Sequence, residues 1–84
     1  MFYVYILKSK KTDWFYIGQT NDLRRRLREH NNGESRSTKA YRPFELRYYE
    51  AFFSEDDAKQ REWSLKKDGN ASAQLKRRIG KSLQ

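Results

Sequence analysis

The sequence predicts an α+β fold in which a small three-stranded antiparallel sheet is flanked by helices, in the order β-β-α-β-α-α. Three observations support this prediction. Two β-branched and aromatic runs near the start are joined by a short polar turn. A later aromatic run has the length of a third strand. Apolar residues then recur at helical spacing after residues that can cap a helix. We expect residues 1–84 to form one domain, since a chain of 84 residues has no room for a second core.

The first two strands are predicted to form a hairpin. Residues 2–9, FYVYILKS, contain scarcely a polar side chain, which is typical of a strand that is covered on both faces. Residues 10–13, KKTD, form a polar turn, and residues 14–20, WFYIGQT, form the second strand. The short turn places the two strands side by side.

A helix is expected directly after the second strand. Residues 21–22, Asn-Asp, can cap its N-terminus, and Leu23 and Leu27, four residues apart, define its buried side. Residues 31–33, Asn-Asn-Gly, tolerate the left-handed backbone that ends a helix. Residues 34–43 then form a polar, basic loop.

The rest of the chain is predicted to hold one strand and two helices. Residues 44–53, FELRYYEAFF, form the third strand, although aromatic residues obscure its alternation. A helix follows over 54–67, and it opens with a variant capping box made by Ser54 and Asp57. Residues 68–70, Asp-Gly-Asn, are expected to break this helix before a final short helix.

Composition and charge restrict the classes of function. The chain has 19 lysines and arginines against 11 acidic residues, a formal net charge of +8, which favours polyanionic partners. Since it has no cysteine, disulfides and thiolate zinc sites are excluded, and we expect a reducing compartment, the cytoplasm. No apolar run reaches the roughly 18 residues of a membrane span, and the last helix is too thinly apolar for a membrane anchor. The expected partner is therefore nucleic acid and not a membrane.

Two residues of the arginine-rich helix deserve separate interpretation. Arg26 and His30 are four residues apart, so they share a helix face and lie at the edge of its buried side. The other arginines of the run point further toward water. Two interpretations fit this spacing: an arginine extended along the core next to an ordinary surface histidine, or a pair that faces a bound phosphate.

A carboxylate falls on the inward stripe of the later helix. Glu62 is four residues after Ala58 and three before Leu65, both apolar. Because an unpaired buried carboxylate is costly, we expect a cation beside it. That cation is either an arginine in a salt bridge or a divalent metal ion, and a single carboxylate with waters and phosphate oxygens is a usual arrangement for magnesium.

The first two strands carry a pair of tyrosines next to a glycine. The hairpin places Tyr5 beside Tyr16, and Gly18 follows on the same strand face as Tyr16. A glycine inside a strand weakens it unless something approaches the backbone closely. A phenol beside an open glycine suggests an entrance for a phosphate, although tyrosines are also ordinary strand residues.

These residues together resemble the GIY-YIG nuclease superfamily, and most closely its short single-domain members. The resemblance lies in YVY at 3–5, YIG at 16–18, then Arg26, His30 and the later helical Glu62. It extends over the whole chain, and the spacing from the second motif to the arginine and the histidine is the family's own. A tyrosine stands at the first position of YVY, where the family's name has glycine.

The resemblance implies a metal-dependent endonuclease that hydrolyses phosphodiester bonds, in DNA in preference to RNA, with one Mg²⁺ or Mn²⁺ ion. It implies that Tyr5 is the general base and that Tyr16 positions water or phosphate. It further implies that Arg26 stabilises the pentacovalent phosphate, that His30 lies near the scissile phosphate, and that Glu62 binds the metal.

The remaining basic residues are expected to contact the phosphate backbone. With the glycine of the second strand, the predicted nucleic-acid-binding set is Gly18, Arg24, Arg25, Arg28, Lys39, Lys66, Lys67, Lys76, Arg77 and Arg78. Nothing resembling a base-reading module is attached, so specificity rests on substrate shape or on a protein partner. Two other functions stay open: a non-catalytic nucleic-acid-binding module on the same scaffold, and a basic protein–protein adaptor. The sequence does not define the oligomeric state.

Overall fold

The computed structural model describes all 84 residues and has the predicted α+β architecture, with its elements in the order β-β-α-β-α-α. The elements are β1 (Phe2–Ser9), β2 (Phe15–Thr20), α1 (Leu23–Asn31), β3 (Phe44–Phe52), α2 (Glu55–Lys67) and α3 (Gly69–Ile79), with 3₁₀ turns at Lys39–Tyr41 and Gly80–Leu83. The sheet is antiparallel and has the order β2-β1-β3, so β1 is its central strand.

The central strand contributes side chains to two separate apolar clusters. Val4 and Ile6 pack with residues of α2 and α3, whereas Tyr5 and Leu7 pack with Phe44 and with the leucines of α1. This division follows from the two-residue period of a strand, which sends successive side chains to opposite faces. It confirms that β1 is covered on both faces.

A β-bulge explains why the alternation of β3 is obscured in the sequence. Ile6 of β1 pairs with Tyr48, but the next residue, Leu7, pairs with Leu46, which leaves Arg47 as an extra residue on β3. Because of this extra residue, side chains two positions apart on either side of the bulge point to opposite faces of the sheet, and not to the same face. Leu46 therefore packs on the side of α1, and Tyr48 packs on the side of α2 and α3.

The helix caps follow the sequence signals closely. Asp22, not the preceding asparagine, caps α1 by accepting a hydrogen bond from the backbone N–H of Arg25. Ser54 accepts from the backbone N–H of Asp57, as the capping box predicts. Gly33, with φ of +78°, has the left-handed conformation expected after α1.

The predicted three-residue break between the last two helices is wrong, because one residue makes the turn. The backbone N–H of Asp68 donates to the carbonyl of Ser64 and closes α2. The side chain of Asp68 accepts from the backbone N–H of Asn70 and so caps α3. Gly69 and Asn70 consequently belong to α3.

The helices lie on both faces of the sheet. α1 covers the face that carries Tyr5, while α2 and α3 cover the opposite face. Strand β2 is an edge strand, so side chains from α1 and from α2 can approach each other around it. None of the helices has the length and apolar character of a membrane span.

Candidate active site

Tyr5 and His30 form a buried hydrogen-bonded pair between the central strand and α1. The Tyr5 hydroxyl lies 2.9 Å from Nε2 of His30, and the two residues are 2% and 0% exposed. The prediction that His30 lies at the edge of the buried side is wrong. His30 is seven residues after Leu23, so it continues the stripe of Leu23 and Leu27 and points toward the sheet.

The second ring nitrogen of His30 is also bonded inside the protein. Nδ1 lies 2.8 Å from Oγ1 of Thr38, which is 0% exposed and belongs to the loop between α1 and β3. Sequence reasoning missed Thr38, because nothing in the sequence distinguishes it from the nearby Ser35 and Ser37. Only folding of the loop over the end of α1 brings its hydroxyl to the imidazole.

The protonation states of the pair follow from this burial. Burial raises the pKa of Tyr5 to about 12, and the interaction with the guanidinium of Arg26 only partly offsets the rise. Burial, together with the positive charge of Arg26, lowers the pKa of His30 to about 4. At neutral pH the site therefore contains a neutral phenol and a neutral imidazole.

Arg26 approaches the Tyr5 hydroxyl from α1. Its Nη1 donates to Oε1 of Glu29 at 3.0 Å, and its side chain is 31% exposed. The same guanidinium donates to the Tyr5 hydroxyl, and this contact lowers the pKa of Tyr5 against the larger effect of burial. Arg26 is therefore the arginine of α1 that belongs to the site, whereas the other three arginines of the run are exposed, as predicted.

Tyr16 lies beside this pair on β2, as the hairpin predicts. Its ring centroid is 6.3 Å from that of Tyr5 and 5.1 Å from that of His30. Trp14 packs on Tyr16 and stacks on Tyr41 with ring centroids 4.0 Å apart. This aromatic cluster holds Tyr16 in place at the open edge of the sheet.

The space over Gly18 is filled and not open, contrary to expectation. Gly18 pairs directly with Tyr5 across the two strands, and a Cβ at position 18 would overlap the Tyr5 hydroxyl. Glycine is required there because the phenol crosses over the backbone of β2. The contact of Gly18 with a phosphate stays a prediction.

Glu62 lies at the rim of the site and is not buried, in contrast to the inward position that its spacing suggests. Its side chain is 25% exposed and forms a 3.1 Å salt bridge with Lys66, not with an arginine. Lys66 Nζ in turn lies 5.4 Å from the ring centroid of Tyr16. The negative charge of Glu62 is nevertheless close enough to Tyr5 to contribute to the rise in its pKa.

The donor set at Glu62 fits a magnesium-type ion. No group of three or more histidine or acidic residues is positioned to enclose a metal, so a fully protein-ligated site is not formed. Magnesium keeps several waters and takes one or two carboxylates together with phosphate oxygens. A single accessible carboxylate beside the tyrosines suits that arrangement, with Lys66 as the group that a bound ion would displace.

The nine basic residues predicted to contact phosphate are all exposed, whereas Gly18 is buried, and the nine lie on several different elements. Lys66 borders Tyr16, and the arginines of α1 share a helix with Arg26. The positive charge of Arg78, in contrast, helps to lower the pKa of Glu50 on β3, the other edge strand. The exposed members are Arg24, Arg25, Arg28, Lys39, Lys66, Lys67, Lys76, Arg77 and Arg78.

A small sheet that holds two tyrosines against a helical arginine and histidine, with a lone carboxylate at the rim, is the arrangement of a nuclease-type domain. The model of the GIY-YIG catalytic domain matches residues 1–77. The chain therefore belongs to the GIY-YIG family, which confirms the resemblance seen in the sequence.

Several relatives belong to one branch of this family. UPF0213 protein YazA of Bacillus subtilis is 41% identical over 66 residues, which span 77% of this chain and 66% of the relative, just under two thirds of its length. UPF0213 protein CPE1444 of Clostridium perfringens is 43% identical over 68 residues, or 80% of this chain and 72% of the relative. The solution NMR structure of UPF0213 protein BH0048 from Bacillus halodurans is 35% identical, with a TM-score of 0.52, and the match covers 89% of this chain and 82% of that one.

Proposed function

We propose that this protein is a metal-dependent endonuclease that hydrolyses phosphodiester bonds in nucleic acid, DNA in preference to RNA. The observation that carries the proposal is the buried Tyr5–His30 pair beneath Arg26. Replacing both partners of a buried hydrogen bond by apolar groups of similar shape is nearly neutral for stability. An apolar pair could fill this part of the core, so the presence of a buried phenol and imidazole supports a role in proton transfer.

The pair provides a route for the proton of the attacking water. Ionising Tyr5 outright at pH 7 costs about 7 kcal/mol, because its pKa is about 12. A relay lowers this cost: the phenol oxygen takes a proton from water while its own proton moves to Nε2 of His30, which becomes an imidazolium at a cost of about 4 kcal/mol at pH 7, because its pKa is about 4. The imidazole is neutral at pH 7 and its Nε2 is 2.9 Å away, within range for this transfer. Tyr5 thus acts as the general base without becoming a free phenolate.

Arg26 and Tyr16 are the groups that meet the phosphate. Arg26 now bonds to the carboxylate of Glu29 and, being partly exposed, can exchange that carboxylate for phosphate oxygens. Its guanidinium would then neutralise charge that develops on the pentacovalent phosphate, next to the phenol that activates water. Tyr16 presents its ring at the edge of the sheet, where its hydroxyl orients the phosphate or the water.

Glu62 is the residue that would hold the metal ion, beside Lys66 and Tyr16. When bound, a divalent ion supplies positive charge to the phosphate and to the leaving oxygen. Lys66, released from Glu62, would be free to contact a neighbouring phosphate. We propose that substrate shape or a protein partner provides specificity.

The test is incubation of the protein with labelled duplex, single-stranded and branched DNA and RNA, in magnesium, manganese or chelator. The proposal expects cleavage of at least one substrate that requires metal and is lost in the Tyr5→Phe variant. Binding of the same substrates without cleavage in either metal would instead support a non-catalytic nucleic-acid-binding module, which the net charge of +8 also favours.

A further inference from the structure

We infer that Thr38 is a positioning residue that keeps His30 in the tautomer with its proton on Nδ1, so that Nε2 is free to accept the proton of Tyr5. The inference starts from the chain of contacts that links the phenol of Tyr5, both nitrogens of His30 and the hydroxyl of Thr38, at 2.9 and 2.8 Å. The expected effect of Thr38 on cleavage rests on the proposed function. The tautomer of His30 does not, because it can be measured in the protein without substrate.

The direction of the chain follows from counting hydrogens. Tyr5, His30 and Thr38 are all buried, so each polar hydrogen needs an acceptor inside the protein. In one direction every hydrogen has an acceptor. Tyr5 donates to Nε2, Nδ1–H donates to Oγ1 of Thr38, and the Thr38 hydroxyl donates to the carbonyl of Ser35 at 3.4 Å.

The opposite direction leaves one hydrogen without an acceptor. Thr38 would donate to Nδ1, and Nε2–H would donate to the oxygen of Tyr5. The phenol hydrogen would then have no partner, since His30 is the one hydrogen-bond acceptor found for it and Arg26 has only donors to offer. Because an unsatisfied buried donor is destabilising, the first direction is favoured.

The loop that carries Thr38 is held in a fixed position relative to His30. Asn31, the residue after His30, clamps the far end of the loop: its Oδ1 accepts from the backbone N–H of Phe44 at 2.6 Å, and its Nδ2 donates to the Phe44 carbonyl at 3.3 Å. Inside the loop, the backbone N–H of Thr38 donates to the carbonyl of Ser35 at 3.2 Å. Thr38 therefore meets the imidazole in a defined geometry, as the outer partner of a functional histidine does.

The tautomer can be observed directly, because His30 is the single histidine of the chain. The experiment is ¹⁵N NMR of the imidazole at neutral pH, without substrate or metal, in the wild-type protein and in Thr38→Ser and Thr38→Val. We expect Nδ1 to carry the proton in the wild type and in Thr38→Ser, which keeps the hydroxyl. In Thr38→Val, which keeps the shape but loses the acceptor, each tautomer leaves one buried hydrogen without an acceptor, so a fraction protonated on Nε2 should become detectable.

Cleavage supplies the second measurement. Thr38→Val should lower the single-turnover rate by about tenfold or more, because the imidazolium formed in the relay would lose the acceptor for its Nδ1–H, and Thr38→Ser should restore most of the rate. Adding Thr38→Val to Tyr5→Phe should cause little further loss, because both act on one proton route. A wild-type imidazole protonated on Nε2 overturns the inference, even if Thr38→Val fails to fold. Protonation on Nδ1 in a protein that cleaves no substrate would support the positioning role and count against the proposed nuclease activity.

Discussion

Gly18 and Tyr5 face each other across β2 and β1, and the phenol of Tyr5 occupies the volume that a side chain at position 18 would need. The glycine of the second motif and the tyrosine of the first are therefore one packing unit. A substitution at position 18 changes the position of the Tyr5 hydroxyl relative to His30, although it touches neither the imidazole nor the carboxylate of Glu62.

The first prediction is that Gly18→Ala displaces Tyr5 and thereby lowers both stability and cleavage. Forcing a methyl group into a packed site costs about 1–3 kcal/mol. The matched control is Gly69→Ala, since a Cβ at Gly69 meets no atom within 4 Å and lies in α3, where alanine favours the helix. Denaturant unfolding and single-turnover cleavage measure the two effects. Equal stability of Gly18→Ala and wild type would show that the phenol does not need this space.

The second prediction concerns the proton route. Tyr5→Phe keeps the ring but removes the hydroxyl, and it should lower the cleavage rate by about 10² or more, as expected for loss of a general base. Tyr3→Phe is the control, because Tyr3 lies on the same strand face and packs edge-on against Tyr49, with no hydrogen bond of its hydroxyl. Single-turnover rates are compared at saturating enzyme across pH 6–10. Wild-type cleavage by Tyr5→Phe would assign the base to Tyr16 or to metal-bound hydroxide.

The third prediction tests the metal ligand. Glu62→Gln should abolish cleavage and the response of the rate to magnesium, while unfolding free energy changes by only about 0.3–0.5 kcal/mol, the value of an exposed i,i+4 ion pair. Glu55→Gln removes the comparable pair with Lys59 on the same helix and should leave cleavage unchanged. A large fall in melting temperature in Glu62→Gln alone would assign Glu62 a structural role.

The fourth prediction is a pH dependence of stability that originates in His30. Its pKa is about 4 in the folded protein and about 6.5 when unfolded, so the unfolded chain binds more protons between these values. The contribution of neutral His30 is fully present above pH 6.5 and should be lost as pH falls toward 4, by about 3 kcal/mol. Denaturant unfolding of wild type and His30→Gln at several pH values gives the difference, in which the titration of carboxylates cancels. Parallel pH profiles of the two proteins would contradict the low pKa.

The fifth prediction separates the two groups of exposed basic residues by the salt dependence of nucleic-acid binding. Each lost phosphate contact on duplex DNA reduces the log–log slope by about 0.9, so three lost contacts reduce it by about 3. The two triple variants replace Arg24, Arg25 and Arg28, or Lys76, Arg77 and Arg78, by glutamine. The α1 variant should flatten the slope more, because these arginines lie on the helix of Arg26, whereas Arg78 lies toward Glu50. An unchanged slope in the α1 variant would place the binding surface elsewhere.

The elements were accessible from the sequence because they depend on local patterns, and the candidate site residues were accessible through the resemblance to a known family. Alternating and helical spacing defined the strands and helices, and Asp22 and Ser54 are caps whose partners lie three residues away. The same local rules failed where a residue interacts with two elements at once. Asp68 ends one helix and caps the next, and the bulge at Arg47 reverses the faces of β3 through its pairing with β1.

The sequence by itself determined the α+β fold, the family and the set of tyrosine, arginine, histidine and glutamate side chains. Only the tertiary structure decided how they are arranged. The hydroxyl of Thr38 meets His30, Tyr5 fills the space over Gly18, and Glu62 stays at the rim beside Lys66. Spacing defines the face of an element on which a side chain lies, but burial depends on what covers that face. His30 is buried because the sheet and the loop after α1 both cover it, whereas nothing covers Glu62 completely and its side chain stays 25% exposed beside Lys66.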